Sequence, residues 1–251
     1  MASKKKTVKK VTKKAPAKKP VKAPKKPAAK KLTKKPKAVK VTAKPLKTYV
    51  AMILDESSSM GVIKAETIQH FNEQVEQIVK DSAGMDTRVS LTVFGSEVTS
   101  VFFDESLDKL QPLTARNYNP NGMTAMYDGI GETIDRMRKE IKDIDDKDVA
   151  ILMVIVSDGQ ENNSKKYKQT DIAERIKHLQ GTKRWTFTYL GANQDLSVVS
   201  AALNIPAGNM LAFVADSSGM NAASASHAKS LGTYMTSRRS GSTQSHDFYS
   251  K

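Results

Sequence analysis

The sequence predicts an α/β domain in which a mostly parallel, doubly wound sheet is covered by helices on both faces. Three observations predict it. Two runs, 49–54 and 149–156, are continuously apolar, as strands buried on both faces are. Strand-like and helix-like segments follow one another as β-α-β-β-α-β-α-β-α-β-α, and that alternation builds a parallel sheet with right-handed crossovers. The turn at Gly95-Ser96 is too short for a crossover, so the strands it joins must be antiparallel, with one of them at the sheet edge.

The elements follow in chain order. Residues 1–47 carry 20 Lys, no Arg, no acidic residue and six of the nine prolines. Dense like charge without large apolar groups prevents a core, so a disordered, partly extended tail is expected. After the first strand, Ile68, Phe71, Val75, Ile78 and Val79 share one helical face, which predicts a helix over about 60–82. Alternation from Arg88 to Phe94, then Val98 to Phe103, gives the hairpin. Residues 112–124 are rich in Pro, Asn and Gly and form a loop. Ile130, Ile134, Met137, Ile141 and Ile144 mark the next helix. The strand 149–156 ends in Ser157-Asp158-Gly159. Ile172, Ile176 and Leu179 mark a third helix, and Trp185–Leu190 a strand. A short helix over 196–203, a strand over 210–214 and a helix over 221–234 complete the domain, which is expected to span 48–238. Residues 239–251, with Ser, Gly and Arg, are expected to be loose.

The formal net charge of +15 describes neither part. Outside the tail, 21 basic residues face 26 acidic ones, so a basic tail joins a mildly acidic domain. The tail suits nucleic acid or another polyanion through counterion release. A solubilising linker and a targeting signal are the other readings. No cysteine is present, which excludes disulfides, thiolate metal sites and a Cys nucleophile. No apolar run approaches the length of a membrane span, and no secretory signal is recognisable. A cytoplasmic, nucleoid or nuclear location is expected.

The candidate site starts at Asp55-Glu56-Ser57-Ser58-Ser59, where the first buried strand ends in a carboxylate and hydroxyls spaced D-x-S-x-S. In a doubly wound sheet ligands bind outside the carboxyl ends of the central strands. The other buried strand ends at Asp158, and the loop that ends at Thr124 opens a helix at the same edge. Asp55, Ser57, Ser59, Thr124 and Asp158 therefore converge. Two carboxylates with three hydroxyls suit a hard divalent cation, Mg²⁺ or Mn²⁺, with a position left for water or an incoming acidic group. Taken singly, Ser57 and Ser59 are also good helix caps. The four His have no metal spacing, and phosphate-binding glycine signatures are absent. Asp128, Asp195 and Asp216 read as caps.

This ordered set resembles the metal-ion-dependent adhesion site of von Willebrand factor type A domains. The surroundings resemble it too: Met126-Tyr127-Asp128-Gly129-Ile130-Gly131, and Val156-Ser157-Asp158-Gly159-Gln160-Glu161-Asn162. The segment 187–195 is similar to single-domain members from bacteria and their phages. The resemblance covers about 48–238 and implies a Rossmann-like fold with six strands. It implies that Ser57, Ser59 and Thr124 bind the cation directly, that Asp55 and Asp158 act directly or through water, and that a partner's carboxylate completes the coordination. Glu56 would face that partner. The expected function is metal-dependent protein binding without catalysis. The alternative is a nucleic-acid-associated protein acting through its tail, with the domain as an assembly platform. A metal-assisted phosphohydrolase is disfavoured because no general base stands beside the ligands.

Overall fold

The computed structural model describes residues 46–250; residues 1–45 of the expected basic tail lie outside the described residues, and Lys47, its last residue, opens the first strand. The strands are β1 (Lys47–Asp55), β2 (Asp86–Phe94), β3 (Val98–Ser106), β4 (Val149–Ser157), β5 (Trp185–Ala192) and β6 (Met210–Phe213). The helices are α1 (Lys64–Asp81), α2 (Met126–Glu140), α3 (Gln169–Gly181), α4 (Leu196–Leu203) and α5 (Ser217–Arg239). One six-stranded sheet has the order β3-β2-β1-β4-β5-β6. All neighbours are parallel except β2 and β3. As expected, the two apolar runs lie side by side in the middle, and the hairpin places β3 at an edge.

The pleat sends alternate side chains of the central strands to opposite faces. Val50, Met52 and Leu54 of β1, with Leu152, Val154 and Val156 of β4, pack toward Phe71 and Ile78 of α1 and toward α5. Tyr49, Ala51 and Ile53, with Ile151, Met153 and Ile155, pack toward α2 and α3. Both strands are buried along nearly their whole length, and between Thr48 and the carboxyl edge their side chains are apolar apart from the Tyr49 hydroxyl. Strand order reverses between β1 and β4, the place where sheets of this kind hold ligands outside their carboxyl ends.

Three features differ from the sequence reading. The first helix begins with a 3₁₀ turn, Ser58–Ile63, before α1. Helix α2 stops at Glu140, although Ile141 and Ile144 remain buried. The expected loose end is packed: α5 runs on to Arg239, and Phe248 is buried against His227 and Tyr234. Gln244 donates to the carbonyls of Gln180 and Trp185, and Asn209 and Phe248 are bonded through the Phe248 N–H. Two aromatic residues, Phe248 and Tyr249, and a set of bonds to backbone groups anchor this segment, and its otherwise polar composition hides them.

The interface of α1 and α5 buries two histidines. His70 and His227 meet edge to face, 5.6 Å between ring centroids. His70 Nδ1 pairs with Ser224 Oγ at 3.0 Å, and His227 Nδ1 with Tyr249 Oη at 2.7 Å. Burial lowers the His70 pKa to about 4, although the nearby Glu73 carboxylate pulls it upward. His227 shifts downward too, through burial and the proximity of His70. Unfolding raises the proton affinity of both rings, so their contribution to stability is complete above the ordinary histidine pKa and is lost as the pH falls toward 4. For His70 alone the expected loss is about 3 kcal/mol between pH 6.5 and 4. The difference between the urea-unfolding pH profiles of wild type and His70→Gln measures it; parallel profiles would refute this.

Candidate metal centre

Every residue of the candidate set stands at the carboxyl edge of β1 and β4. Asp55 is the last residue of β1 and is fully buried. Its Oδ1 accepts the Ser57 N–H at 2.8 Å, and its Oδ2 accepts the Ser157 hydroxyl at 2.6 Å. Ser57 Oγ lies 3.1 Å from Ser59 Oγ, and Ser59 Oγ donates to Asp158 Oδ1 at 2.6 Å. A methyl group built on Gly159 would stand 3.2 Å from Thr124 Oγ1, 3.7 Å from Ser59 Oγ and 3.8 Å from Asp55 Oδ2. The structure thus brings the five residues together around one small cradle that only a glycine at position 159 leaves open. Ser57 caps the 3₁₀ turn by position, but its side chain makes no capping bond, which leaves its hydroxyl on the cradle.

Electrostatics favour a cation here. Burial pushes the Asp55 carboxyl up to about 6, against hydrogen bonds from Ser157 and Ser57, and the Asp158 charge adds to the rise. Burial raises Asp158 as well, and Ser59 offsets part of it. Two carboxylates share a corner that by itself does not favour both charges. Among the described residues no group of three or more His, Cys, Asp or Glu is placed to hold a metal. A cation in the cradle therefore depends on the hydroxyls, and the donor set is all oxygen with two carboxylates.

Two loops carry the remaining candidate residues, and both are braced. The Thr124 loop is tied to the Asp55 turn: Ser58 N–H donates to Gly122 O, Asn121 N–H to Glu56 O, and Tyr118 Oη to Asp55 O. Glu56 Oε1 accepts the Asn119 N–H, so this carboxylate, expected to face a partner, holds the loop. The loop after β4 clasps Thr124 from the other side. Asn162 Oδ1 accepts the Thr124 N–H at 2.9 Å, while the N–H groups of Asn162 and Asn163 donate to Thr124 O. Glu161 accepts from the N–H groups of Tyr127, Asn163 and Ser164. Asp128, expected to be a cap, accepts the N–H groups of Lys165, Lys166 and Tyr167. Asp195 and Asp216 do cap α4 and α5. Sequence reasoning missed Ser157, Asn162, Glu161 and Asp128 as supports. Ser157 carries a signal as the hydroxyl that ends an otherwise apolar central strand, and Asp128, Glu161 and Asn162 carry one only as members of the segments that resemble the family.

Comparison with known proteins agrees with this architecture. The profile of the von Willebrand factor type A domain matches residues 50–224. No curated protein matches the sequence. Among solved structures, the pilus adhesin SpaC from Lactobacillus rhamnosus GG in its open conformation superposes with a TM-score of 0.57 at 11% identity, over 77% of this chain and 31% of that one. The manganese-loaded TRAP protein of Plasmodium vivax gives 0.50 at 14% identity, over 72% and 71%. Proximal thread matrix protein 1 from the mussel byssus gives 0.50 at 16% identity, over 75% and 47%. The match spans about half of the mussel protein and a third of the adhesin. At these identities the likeness shows the fold. With the profile covering most of the chain, the protein belongs to the von Willebrand factor type A domain family.

Proposed function

We propose that this chain is a protein-binding module whose partner is recognised through a divalent cation, Mg²⁺ or Mn²⁺, held by Asp55, Ser57, Ser59, Thr124 and Asp158. The observation that carries the reading is the cradle itself: hydroxyls from Ser59 and Thr124 and the carboxylate of Asp55 surround the space above Gly159. Family membership supports it, because type A domains often mediate metal-dependent protein binding. The manganese-loaded state of the Plasmodium protein supports a divalent ion without choosing between metals. When bound, the cation supplies a Lewis-acidic position for a carboxylate oxygen of the partner. The chain's own residues do the rest. Asp55 and Asp158 balance the charge, the neutral hydroxyls leave the ion electrophilic, and Glu56, Asn162 and Glu161 hold the ligand loops so that little reorganisation accompanies binding. No catalytic role is proposed, since no additional general base stands at the cradle.

Gly159→Ala is the direct test. Gly159 is not among the glycines with left-handed backbone, so alanine is conformationally acceptable there. Its methyl enters the cradle. Calorimetric titration with Mg²⁺ or Mn²⁺ is expected to show at least a tenfold loss of affinity, with the melting temperature in EDTA nearly unchanged. Equal affinity in both proteins would sink the metal reading.

The basic residues 1–47 are proposed to add a polyanion contact of little sequence preference. The 20 Lys carry this reading, and DNA affinity that falls steeply with salt and vanishes in a chain beginning at Thr48 is its test.

A further inference from the structure

Beside the cradle, across Gly159, lies a cleft of about 410 Å³ between the loop after β4 and helix α4. Its α4 wall is aliphatic: Val198, Val199 and Ala202. Its rim carries the side-chain amides of Gln160 and Asn193. Both amide residues are exposed. Val198 is 62% exposed, although it is one of only five large hydrophobic side chains so displayed among the described residues. Three others, Val62, Met123 and Val214, also lie on segments at the carboxyl edge of the sheet: the turn after β1, the residue before Thr124, and the end of β6. Apolar exposure is thus concentrated on the edge that bears the cradle, the pattern of a recognition surface with an apolar centre. The partition between cleft and cradle is rigid. Gln194 Nε2 donates to Gly159 O at 3.1 Å and to Ser157 O at 3.3 Å, and Tyr189 Oη donates to Gln194 Oε1 at 2.9 Å.

We infer that this cleft is a specificity pocket for an extended partner segment in which an Asp or Glu is accompanied, one or two residues away, by an aliphatic side chain. The inference rests on the proposed cation site and names the chemistry of its partner. Charge selects the acidic residue, which belongs over the cradle. Continuity through Gly159 brings the adjoining residues into the cleft. The aliphatic wall takes the apolar side chain. The Gln160 amide offers a donor and an acceptor to an extended peptide backbone, and Asn193, whose Oδ1 accepts the Ala215 N–H, offers its Nδ2 donor. A purely acidic peptide would leave the wall wet.

The test uses a yeast-displayed peptide library with a fixed central Asp and randomised flanks, and a second copy with Asn in place of that Asp, each sorted against the full chain in saturating Mg²⁺ and again in EDTA. The EDTA arm identifies peptides held by the basic tail alone. Wild type is expected to enrich, in Mg²⁺ only, peptides with Leu, Ile or Val within two residues of the Asp. Val198→Lys, an exposed change that touches none of the proposed ligands, is expected to keep its calorimetric Mg²⁺ affinity and the Asp requirement. It should bind the enriched peptides about tenfold more weakly, the scale of one aliphatic side chain left unburied. An Asp requirement with no aliphatic preference, or a preference unchanged in Val198→Lys, overturns the pocket and leaves the cation site standing. Enrichment that needs neither Asp nor Mg²⁺ overturns both.

Discussion

Arg238→Leu is expected to cost about 3 kcal/mol or more of folding stability, read as a lowered urea midpoint, and to expose residues 240–250 to protease. Arg238 is fully buried near the end of α5. Its guanidinium donates to Thr48 Oγ1, to the carbonyls of Lys47 and Asp148, and to Ser242 O. One side chain therefore joins the starts of the two central strands to the last helix and to the segment that follows it. None of the four acceptors is a carboxylate, so the charge is held by oriented dipoles. Leucine fills much of the volume but leaves the buried Thr48 hydroxyl and three partly buried carbonyls without this donor. Each such loss costs on the order of 1 kcal/mol, and more where water cannot replace the donor. Arg238→Lys keeps the charge but cannot span the four acceptors, and is expected to recover only part of the loss. A change below about 1 kcal/mol for Arg238→Leu, or unaltered proteolysis of the C-terminal segment, would refute the account.

Arg238 also shows where sequence reading stops. Beside Arg239 at a helix end, it looks like a cation placed against the helix dipole. Its partners lie 90 to 191 residues away, apart from Ser242, and no local period encodes them. The central strands are different. Their burial on both faces is written in every residue from 149 to 156, so their place in the sheet, and with it the convergence of Asp55 and Asp158, follows from chain order alone. Asp55 and Asp158 are legible as candidates for the same reason: a carboxylate at the end of a doubly buried strand has few places to point, whereas Ser57, Ser59 and Thr124 rest on motif spacing and on the loop that opens α2. The braces were not legible. Glu161, Asn162 and Asp128 bind backbone N–H groups of other loops, and a carboxylate or amide in a polar loop looks the same in sequence whether it meets water or a backbone donor. Glu56 is a case in point: its position beside Asp55 points to a residue facing a partner, and nothing in the sequence shows that one of its oxygens also accepts the Asn119 N–H.

Asp55→Asn is expected to reverse the sign of its effect with the cation. Without divalent ions at pH 7, the wild-type carboxylate is ionised although its pKa is pushed up to about 6. The folded state therefore holds the charge at a penalty that is full above that value and relieved as the pH falls toward the ordinary aspartate range. Asparagine removes the charge and keeps the shape. Its oxygen can still accept the Ser57 N–H, and its amide can donate to Ser157 Oγ if that hydroxyl turns to accept. In EDTA the variant should equal or exceed wild type, by up to about 3 kcal/mol. In Mg²⁺ at about 100 times its dissociation constant, wild type should gain about 2.7 kcal/mol, or roughly 5–10 °C in melting temperature for a domain of this size. The variant should gain almost nothing, because a neutral amide no longer balances the ion. A structural role alone for Asp55 predicts the opposite in EDTA, a destabilised variant, and the same small response to Mg²⁺ in both proteins. The two thermal scans of each protein separate these accounts without any knowledge of the partner, since the penalty that burial places on Asp55 is what a bound cation would relieve.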